Sequence, residues 1–186
     1  IIDYGKEDDE TVFMAMEFVP GQPLSSLLRE EWPLSPIRVS SIIAQTLSAL
    51  EEAHSKMIVH RDLKPDNLMI EKTLPGDDLV KGLDFGIAQS KADGAKQGQL
   101  TQAGSLVGTP NYMSPEQAKG ESVDHRSDLF SVGVILYEIL TGKKPFKGKH
   151  VPQILVAVIT NEPPPPSAAV KDGHDVDPDL EAICLR

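Results

Sequence analysis

Short apolar stretches near the start of the chain predict a small β-sheet. Strands are predicted at residues 1–4 and 12–18, and the polar residues 5–10 between them are typical of a hairpin connection. Pro20-Gly21 ends the second strand, and a short helix is predicted to start at Leu24. The first part of the chain is therefore predicted to form two paired strands followed by a helix.

Helical spacing of apolar residues begins after Ser35. Ser35 is a favourable N-cap and Pro36 a favourable first helical residue, so together they predict the start of a helix. One face of this helix is predicted to be buried, because apolar residues recur on it at helical spacing. These residues are Val39, Ile42, Ile43, Leu47, Leu50 and Ala53.

A second long helix, predicted over residues 128–140, is apolar on nearly every side, which places it in the middle of a domain. Gly142 is expected to end it. A further helix is predicted at residues 151–159, and the proline run 163–166 is predicted to be extended polyproline II. Asp177-Pro178 is a typical helix start near the end of the chain.

The region between the two long helices is predicted to contain shorter elements. Residues 57–59 predict a strand, and residues 67–70 and 80–83 predict a small pair of strands. Residues 87–113 show little periodicity and are rich in Gly, Ser, Gln and Thr. A loop of this length is usually functional or disordered.

Composition narrows the class of protein. The 186 residues, 40% of them hydrophobic, suit one domain with a sizeable core. A formal charge of −10, from 18 basic and 28 acidic residues, argues against general nucleic-acid or anionic-membrane binding. The single Cys184 cannot form an internal disulfide, which favours a reducing, cytoplasmic location; membrane anchoring of the parent protein through other regions stays open. No apolar run approaches the length of a membrane span. Because the chain opens at Ile1 in an apolar segment and closes at Arg186 in a predicted helix, we expect it to be part of a longer protein.

Two segments carry the candidate chemistry. Residues 60–67 read His-Arg-Asp-Leu-Lys-Pro-Asp-Asn and lie between two apolar segments, where a solvated charge run is rare. Residues 83–86 read Leu-Asp-Phe-Gly, and Ser114-Pro115-Glu116 follows. In this order the segments match the H-R-D-L-x-x-x-N and D-F-G signatures. The chain therefore resembles the eukaryotic-like Ser/Thr protein kinases, and residues 108–118 resemble the bacterial members of that family.

The resemblance implies an α+β, protein-kinase-like fold, mainly the α-helical C-terminal lobe plus the last two strands of the N-terminal lobe. Residues 1–19 would form the end of the N-terminal lobe and the hinge, and residues 20–186 a C-terminal lobe truncated before its last helices. The family's G-x-G-x-x-G loop, strand Lys and helical Glu partner have no counterpart within the 186 residues. We therefore expect the parent protein to be active and this chain alone to be nearly inactive.

The implied reaction is transfer of a phosphoryl group from ATP, with Mg²⁺, to Ser/Thr hydroxyls of a protein substrate. Asp62 fits the role of orienting the substrate hydroxyl, and Lys64 can neutralise charge on the transferred phosphate. Asn67 and Asp84 offer the oxygen ligands that Mg²⁺ prefers. In the family, Lys at the position of Lys64 marks Ser/Thr specificity. Thr109 is similar to the Thr that hydrogen-bonds the catalytic Asp and Lys.

Residues 16–19 resemble the connector between the two kinase lobes. Met16 would be the gatekeeper, the backbone of Glu17 and Val19 would pair with adenine, and Met69 would close the base from below. The complete implied nucleotide-binding set is Met16, Glu17, Val19, Lys64, Asn67, Met69 and Asp84.

Arg61 has a regulatory interpretation. A guanidinium binds phosphate bidentately, so a phosphorylated residue of the long loop can dock there and order the loop. The candidate acceptors are Thr101 and Ser105, with Thr101 preferred because residues 100–102 resemble the segment modified in bacterial relatives. Self-phosphorylation of this loop is one route. The alternative is that both are ordinary polar loop residues.

Other matches are structural. His60 and Phe85 resemble two members of the stacked apolar column of an active kinase, with Ile2 as a candidate third. Glu116 is expected to pair with an Arg outside this chain, and Asp128 to hold the backbone of the 60–67 segment. Ser114 stands where the family usually has Ala.

Two other classes of protein stay open. A pseudokinase or scaffold is the first alternative, and the intact Asp62, Asn67 and Asp84 argue against it. A small-molecule phosphotransferase is the second. Such enzymes lack the Gly-Thr-x-x-Tyr-x-x-Pro-Glu segment that this chain has at residues 108–116.

Overall fold

The computed structural model describes residues 3–6, 12–73, 76–83, 110–170 and 174–186. The first strands, β1 (Asp3–Lys6) and β2 (Val12–Ala15), pair antiparallel with Asp3 opposite Ala15 and Lys6 opposite Val12. The predicted strand pair is confirmed, but β1 includes Gly5 and Lys6, which were predicted to lie in the connection, and β2 is shorter than the predicted 12–18. The chain leaves the sheet after Ala15, so residues 16–20 have no regular structure. Phe18, in this stretch, is exposed.

A second, three-stranded antiparallel sheet lies beside the charged segment. It consists of β3 (Gln22–Pro23), β4 (Leu68–Lys72) and β5 (Asp78–Gly82), in the order β3-β4-β5. Leu68 and Ile70 of β4 are buried while the residues between and after them are partly exposed, as expected for a sheet with one covered face. The predicted strand pair is confirmed with boundaries shifted by one or two residues.

Two helices follow β2 on either side of Trp32: α1 (Leu24–Glu31) and α2 (Pro36–Ser55). The predicted start of α2 is confirmed, since the Ser35 hydroxyl accepts a hydrogen bond from the Arg38 N–H at 3.4 Å. Its buried face is as predicted at Val39, Ile42, Ile43 and Leu50, whereas Ala53 is half-buried. Leu47 is 39% exposed because it lies at the edge of the apolar stripe. Thr46 takes the central position and satisfies its hydroxyl by donating to the Ile42 carbonyl at 2.8 Å.

One side chain of α2, Gln45, pairs backbone groups at the edge of β5, and a second, Arg38, pairs with the Asp78 carboxylate. The Gln45 amide donates to the Asp78 carbonyl at 2.9 Å and accepts from the Val80 N–H at 3.0 Å. An exposed strand edge presents unpaired backbone groups that promote association with other strands. Gln45 pairs two of these groups from within the same domain.

The strand predicted at residues 57–59 is wrong. Met57 has a left-handed φ of 60°, and the N–H groups of Met57 and Ile58 donate to the carbonyls of His54 and Ala53 at 2.9 and 3.0 Å. This pattern is the Schellman motif that ends a helix. The residues are used to cap α2, so they are not extended.

The remaining helices are α3 (Pro115–Lys119), α4 (His125–Thr141), α5 (Val151–Thr160), α6 (Pro166–Ala169) and α7 (Pro178–Cys184). The central helix α4 is confirmed, although it begins three residues earlier than predicted because Asp124 is its N-cap, and Gly142 ends it with a left-handed φ of 65°. The extended proline run is shorter than predicted because Pro166 is the first residue of α6. Within the described residues, no helix combines the length and the apolar character needed to cross a membrane.

One core cluster joins these elements. α4 contributes more residues to it than any other element, and the buried faces of α1, α2 and β4 pack with it in the same cluster. The segment 60–67 runs between α2 and β4, so its backbone lies against this core while several of its charged side chains reach the surface. The core thus supports a charged segment that carries the candidate chemistry.

Candidate active site

The carboxylate of Asp128, in the first turn of α4, holds the backbone of the charged segment. Oδ2 accepts from the His60 N–H and Oδ1 from the Arg61 N–H, both at 2.9 Å. His54 Nε2, from the end of α2, lies 2.8 Å from Oδ2. Asp128 is only 1% exposed, so these hydrogen bonds compensate the burial of its charge. One side chain therefore connects α2, α4 and the start of the charged segment.

Arg61 adopts an unusual backbone conformation. Its φ is 67°, in the left-handed region that is unfavourable for residues with a Cβ. Its N–H is held by Asp128, and its carbonyl accepts from Gln117 Nε2 of α3 at 2.6 Å. Both polar backbone groups of this residue are thus tied to other elements, which stabilises the conformation.

Asp62 and Lys64 form an ion pair at the surface of the segment. Lys64 Nζ donates to Asp62 Oδ2 at 2.9 Å. The Lys64 side chain is 21% exposed and the Asp62 side chain 49% exposed. Asp62 Oδ1 makes no hydrogen bond with the described part of the chain and faces an accessible site. An acceptor oxygen beside a fixed ammonium is suited to binding a hydroxyl near a transferring phosphate.

Asn67 has one amide atom engaged and the other available. It closes a 3₁₀ turn, Pro65–Asn67, and its Nδ2 donates to the Asp62 carbonyl at 2.8 Å. Because that partner is an acceptor, the nitrogen must face it, and Oδ1 points away and makes no hydrogen bond with a described residue. The chemistry of the residue fits an Mg²⁺ ligand, since Mg²⁺ prefers oxygen donors and retains waters.

Leu83 connects the charged segment to the strand that precedes Asp84. Its N–H donates to the Asn67 carbonyl at 2.8 Å, and its carbonyl lies 2.8 Å from His60 Nε2. The His60 ring is 1% exposed, and its Nδ1 accepts a long hydrogen bond from the Asp62 N–H at 3.4 Å. These contacts place Leu83, the residue before Asp84, beside Asn67. Asp84 itself lies outside the described residues.

The protein kinase domain family matches residues 2–174 of this chain. The chain belongs to the protein kinase family. It is 46% identical over its whole length to serine/threonine-protein kinase Pkn3 of Myxococcus xanthus. Over 94% of its length it is 44% identical to serine/threonine-protein kinase Pkn1 of the same organism and 41% identical to serine/threonine-protein kinase PknB of Mycolicibacterium smegmatis.

The matched segments cover 34%, 24% and 26% of those three relatives, so the chain spans a quarter to a third of their length. The prediction of a bacterial-type Ser/Thr kinase domain with an α+β, protein-kinase-like fold is confirmed. Asp62, Lys64 and Asn67 all lie in the segment that matches the H-R-D-L-x-x-x-N signature of this family.

The candidate hinge of the kinase domain is largely exposed. Met16 is 49% exposed, Glu17 is exposed and Val19 is half-buried. Met69 lies half-buried in β4. It pairs with Pro23 of β3, a strand that follows the hinge closely in sequence. Phe18, which the sequence reasoning did not single out, is 85% exposed.

Glu116 has a hydroxyl partner within this chain. The Ser127 hydroxyl donates to Glu116 Oε1, and Ser114 Oγ, which is fully buried, lies 3.0 Å from Ser127 Oγ. Burial opposes ionisation of Glu116, but the hydrogen bonds from Ser127 and from the backbone outweigh it and lower the pKa of the carboxyl. Glu116 is therefore held as an anion that α3 presents to α4. Its pairing with an Arg stays a prediction.

Tyr112 attaches the segment before α3 to the central helix. Its hydroxyl donates to Glu138 Oε2 at 2.5 Å, and Lys144 Nζ lies 5.0 Å from its ring centroid. Burial raises the pKa of the phenol, and the hydrogen bond to Glu138 raises it further. Tyr112 thus stays neutral and donating. Five other candidate residues, namely Ile2, Phe85, Thr101, Ser105 and Thr109, lie outside the described residues, as Asp84 does.

Proposed function

We propose that the protein containing this domain is a Ser/Thr protein kinase that transfers a phosphoryl group from ATP to hydroxyls of a protein substrate. The observation that supports this most is the Asp62–Lys64 pair at 2.9 Å, on a segment whose backbone is held by Asp128, in a member of the protein kinase family. The relatives Pkn3 and PknB are serine/threonine-protein kinases, which supports Ser/Thr rather than Tyr as the acceptor.

Each side chain has a distinct role in this proposal. Asp62 accepts the hydrogen bond of the substrate hydroxyl through Oδ1, which makes no hydrogen bond with a described residue, and orients the hydroxyl for attack. Lys64 lies beside it and stabilises negative charge on the transferring group. Asn67 fixes the Asp62 carbonyl with its amide nitrogen, so the same residue can orient the acid and present an oxygen to a metal ion.

Mg²⁺ is the metal that fits the donor set. When bound, it neutralises charge on the phosphates of ATP. Asn67 Oδ1 is one candidate ligand, and Asp84 is the other. The Leu83 contacts support this pairing because they place the chain that leads to Asp84 against Asn67. We also propose a cytoplasmic location for the domain, on the basis of its single cysteine.

The test uses the full protein that contains this domain. Incubation with radiolabelled ATP, Mg²⁺ and a generic protein substrate is expected to give labelled phosphoserine or phosphothreonine after hydrolysis. Label found only on phosphotyrosine would contradict the acceptor class. Label found only on a small hydroxylated molecule would favour a phosphotransferase, and ATP binding without transfer would favour a pseudokinase.

The 186-residue chain on its own is predicted to bind ATP–Mg²⁺ weakly. Its sequence contains no G-x-G-x-x-G segment, so the backbone N–H groups that cover the phosphates are not supplied by these residues. Calorimetric titration is expected to give a Kd of about 1 mM or weaker, since apolar contact and two hinge hydrogen bonds contribute only a few kcal/mol. A micromolar Kd for this chain would overturn the prediction.

We further propose that Arg61 receives a phosphate from the long loop. Its Nε is buried and has no hydrogen-bond partner within the described residues, which is costly for a charged donor. A phosphate on Thr101 can accept from this Nε, because a phosphorylated residue opposite an Arg forms about one to three charge-assisted hydrogen bonds. Ser105 is the second candidate acceptor. Phosphorylation by the protein itself is the proposed source.

The prediction is that Arg61→Ala and Thr101→Ala in the full protein each lower kcat and that their effects do not add. Removing the guanidinium makes the state of Thr101 irrelevant, so the double variant should match the Arg61 variant within about twofold. Ser105→Ala should cause a smaller loss. Additive losses in steady-state kinetics would show that the two residues act separately.

A further inference from the structure

We propose that Gln117 is a positioning residue for the catalytic segment: its side-chain amide fixes the peptide group that joins Arg61 to Asp62. The inference deepens the kinase function proposed above and rests on it. Gln117 lies in α3, directly after the Ser114-Pro115-Glu116 motif, and its side chain contacts the Arg61 carbonyl, 56 positions earlier in the sequence.

The orientation of the Gln117 amide is determined by its partners. Oε1 accepts from the Ser114 N–H at 2.9 Å, and Nε2 donates to the Arg61 carbonyl at 2.6 Å. The Gln117 N–H in turn donates to Ser114 Oγ at 3.3 Å, which completes a capping box at the start of α3. If the amide were flipped, its NH₂ group would face the Ser114 N–H and its oxygen would face the Arg61 carbonyl, so neither hydrogen bond could form. The same side chain therefore caps a helix and holds the catalytic segment.

The peptide group after Arg61 needs this anchor. Arg61 is in the left-handed region, at φ 67°, where a residue with a Cβ stays only if its surroundings hold it. The N–H of the same peptide group belongs to Asp62, and its hydrogen bond to His60 Nδ1 is long, at 3.4 Å. The short bond from Gln117 is consequently the stronger constraint on the orientation of this peptide plane.

A change in ψ of Arg61 would rotate this peptide plane about the Cα–C bond of Arg61 and move the Cα of Asp62, and with it the carboxylate beside Lys64. Phosphoryl transfer depends on placement of the hydroxyl, and a displacement of about 1 Å at a reacting group can cost about a hundredfold in rate. Gln117 does not touch the substrate in this account. It acts through the backbone next to Asp62.

α4 supports the catalytic segment by two routes that meet at Arg61. The first is direct, from Asp128 to the Arg61 N–H. The second passes from Ser127, which lies 3.0 Å from Ser114 Oγ, to Gln117 and then to the Arg61 carbonyl. Ser114 and Ser127 are 0% and 1% exposed. Docking of α3 on α4 therefore helps to determine the geometry of the catalytic segment.

Gln117→Glu separates the two functions of the side chain. Glu keeps an oxygen for the Ser114 N–H, as in the usual Ser-x-x-Glu capping box, but cannot donate to the Arg61 carbonyl. In the full protein we expect kcat to fall by about tenfold to a hundredfold, with the KM for ATP within about threefold of its original value. Amide hydrogen exchange in residues 59–64 should become faster, while the melting temperature changes little.

Gln45→Glu is the matched control. Gln45 also accepts from a backbone N–H and donates to a backbone carbonyl, but it does so at β5, away from the catalytic segment. It should leave kcat and exchange in residues 59–64 unchanged. Gln117→Met, which is uncharged and lacks the donor, tests whether any loss in Gln117→Glu is an effect of the added charge.

Each outcome decides one proposal. An unsubstituted protein that transfers no phosphate would reject the proposed function, while faster exchange in Gln117→Glu would still support the anchoring contact. Parental kcat and parental exchange in Gln117→Glu would overturn the positioning role. An equal loss of kcat in Gln45→Glu would also overturn it, because the loss would then reflect reduced stability of the domain. Parental kcat in Gln117→Met would overturn it as well, because the loss in Gln117→Glu would then be an effect of the added charge.

Discussion

Asp62→Asn in the full protein is expected to lower the rate of phosphoryl transfer by about 10²- to 10⁴-fold, the usual contribution of a positioned acid–base group. The substitution removes one negative charge and almost no volume. It leaves the Lys64 ammonium in place but takes away the carboxylate that orients the substrate hydroxyl. Stability should change by less than about 1 kcal/mol, because the Asp62–Lys64 pair is half-exposed and such pairs contribute little.

Radiolabel transfer and thermal unfolding, measured on the same preparations, check this prediction. Asp66→Asn is the matched control, since Asp66 lies in the same segment and its exposed carboxylate accepts from Ser25 Oγ at 2.7 Å. Its kcat should stay within about threefold of the original value. Near-parental transfer by Asp62→Asn, or an equal loss in Asp66→Asn, would show that the specific position of Asp62 is not what matters.

Local sequence signals predicted the helices of this domain well. The Ser35–Pro36 start of α2 and the Gly142 end of α4 are determined by residues within one turn of each boundary, so they can be predicted without tertiary information. The strand at 57–59 was wrong for the opposite reason. An apolar triplet has high strand propensity, but here the end of α2 uses Met57 and Ile58 for its own carbonyls.

The candidate site was predictable only where family motifs label it. Asp62, Lys64 and Asn67 lie within seven residues of one another, and the structure brings the first two within hydrogen-bonding distance. The contact between Gln117 and Arg61 joins residues that are 56 positions apart, so no local pattern announces it. The Ser114–Gln117 spacing was the available signal, since it is typical of a capping box, but it does not tell that the amide has a second partner.

Asp128→Asn is expected to damage both stability and catalysis, because Asp128 is buried and, among the described residues, every partner of its carboxylate is a nitrogen. Oδ2 serves the His60 N–H and lies near His54 Nε2, while Oδ1 serves the Arg61 N–H. An Asn amide offers one oxygen, so its NH₂ group must face one of these N–H donors. The free energy of unfolding should fall by about 2–5 kcal/mol, the range for a buried donor left unsatisfied and a buried charge removed from its partners. For a domain of this size, each kcal/mol corresponds to a decrease in Tm of about 2–4 °C.

Asp124→Asn is the control on the same helix. Asp124 caps α4, and its hydrogen bonds and ion pair with Arg126 at the surface lower its pKa to about 2. Asn is an equally good N-cap, so the melting temperature should change little. The decisive comparison is kcat measured well below the lower melting temperature. Asp128→Asn should remain at least about tenfold slower there, because the loosened Arg61 backbone no longer fixes Asp62. Full activity of the folded Asp128 variant would mean that the carboxylate stabilises the domain without positioning the catalytic segment.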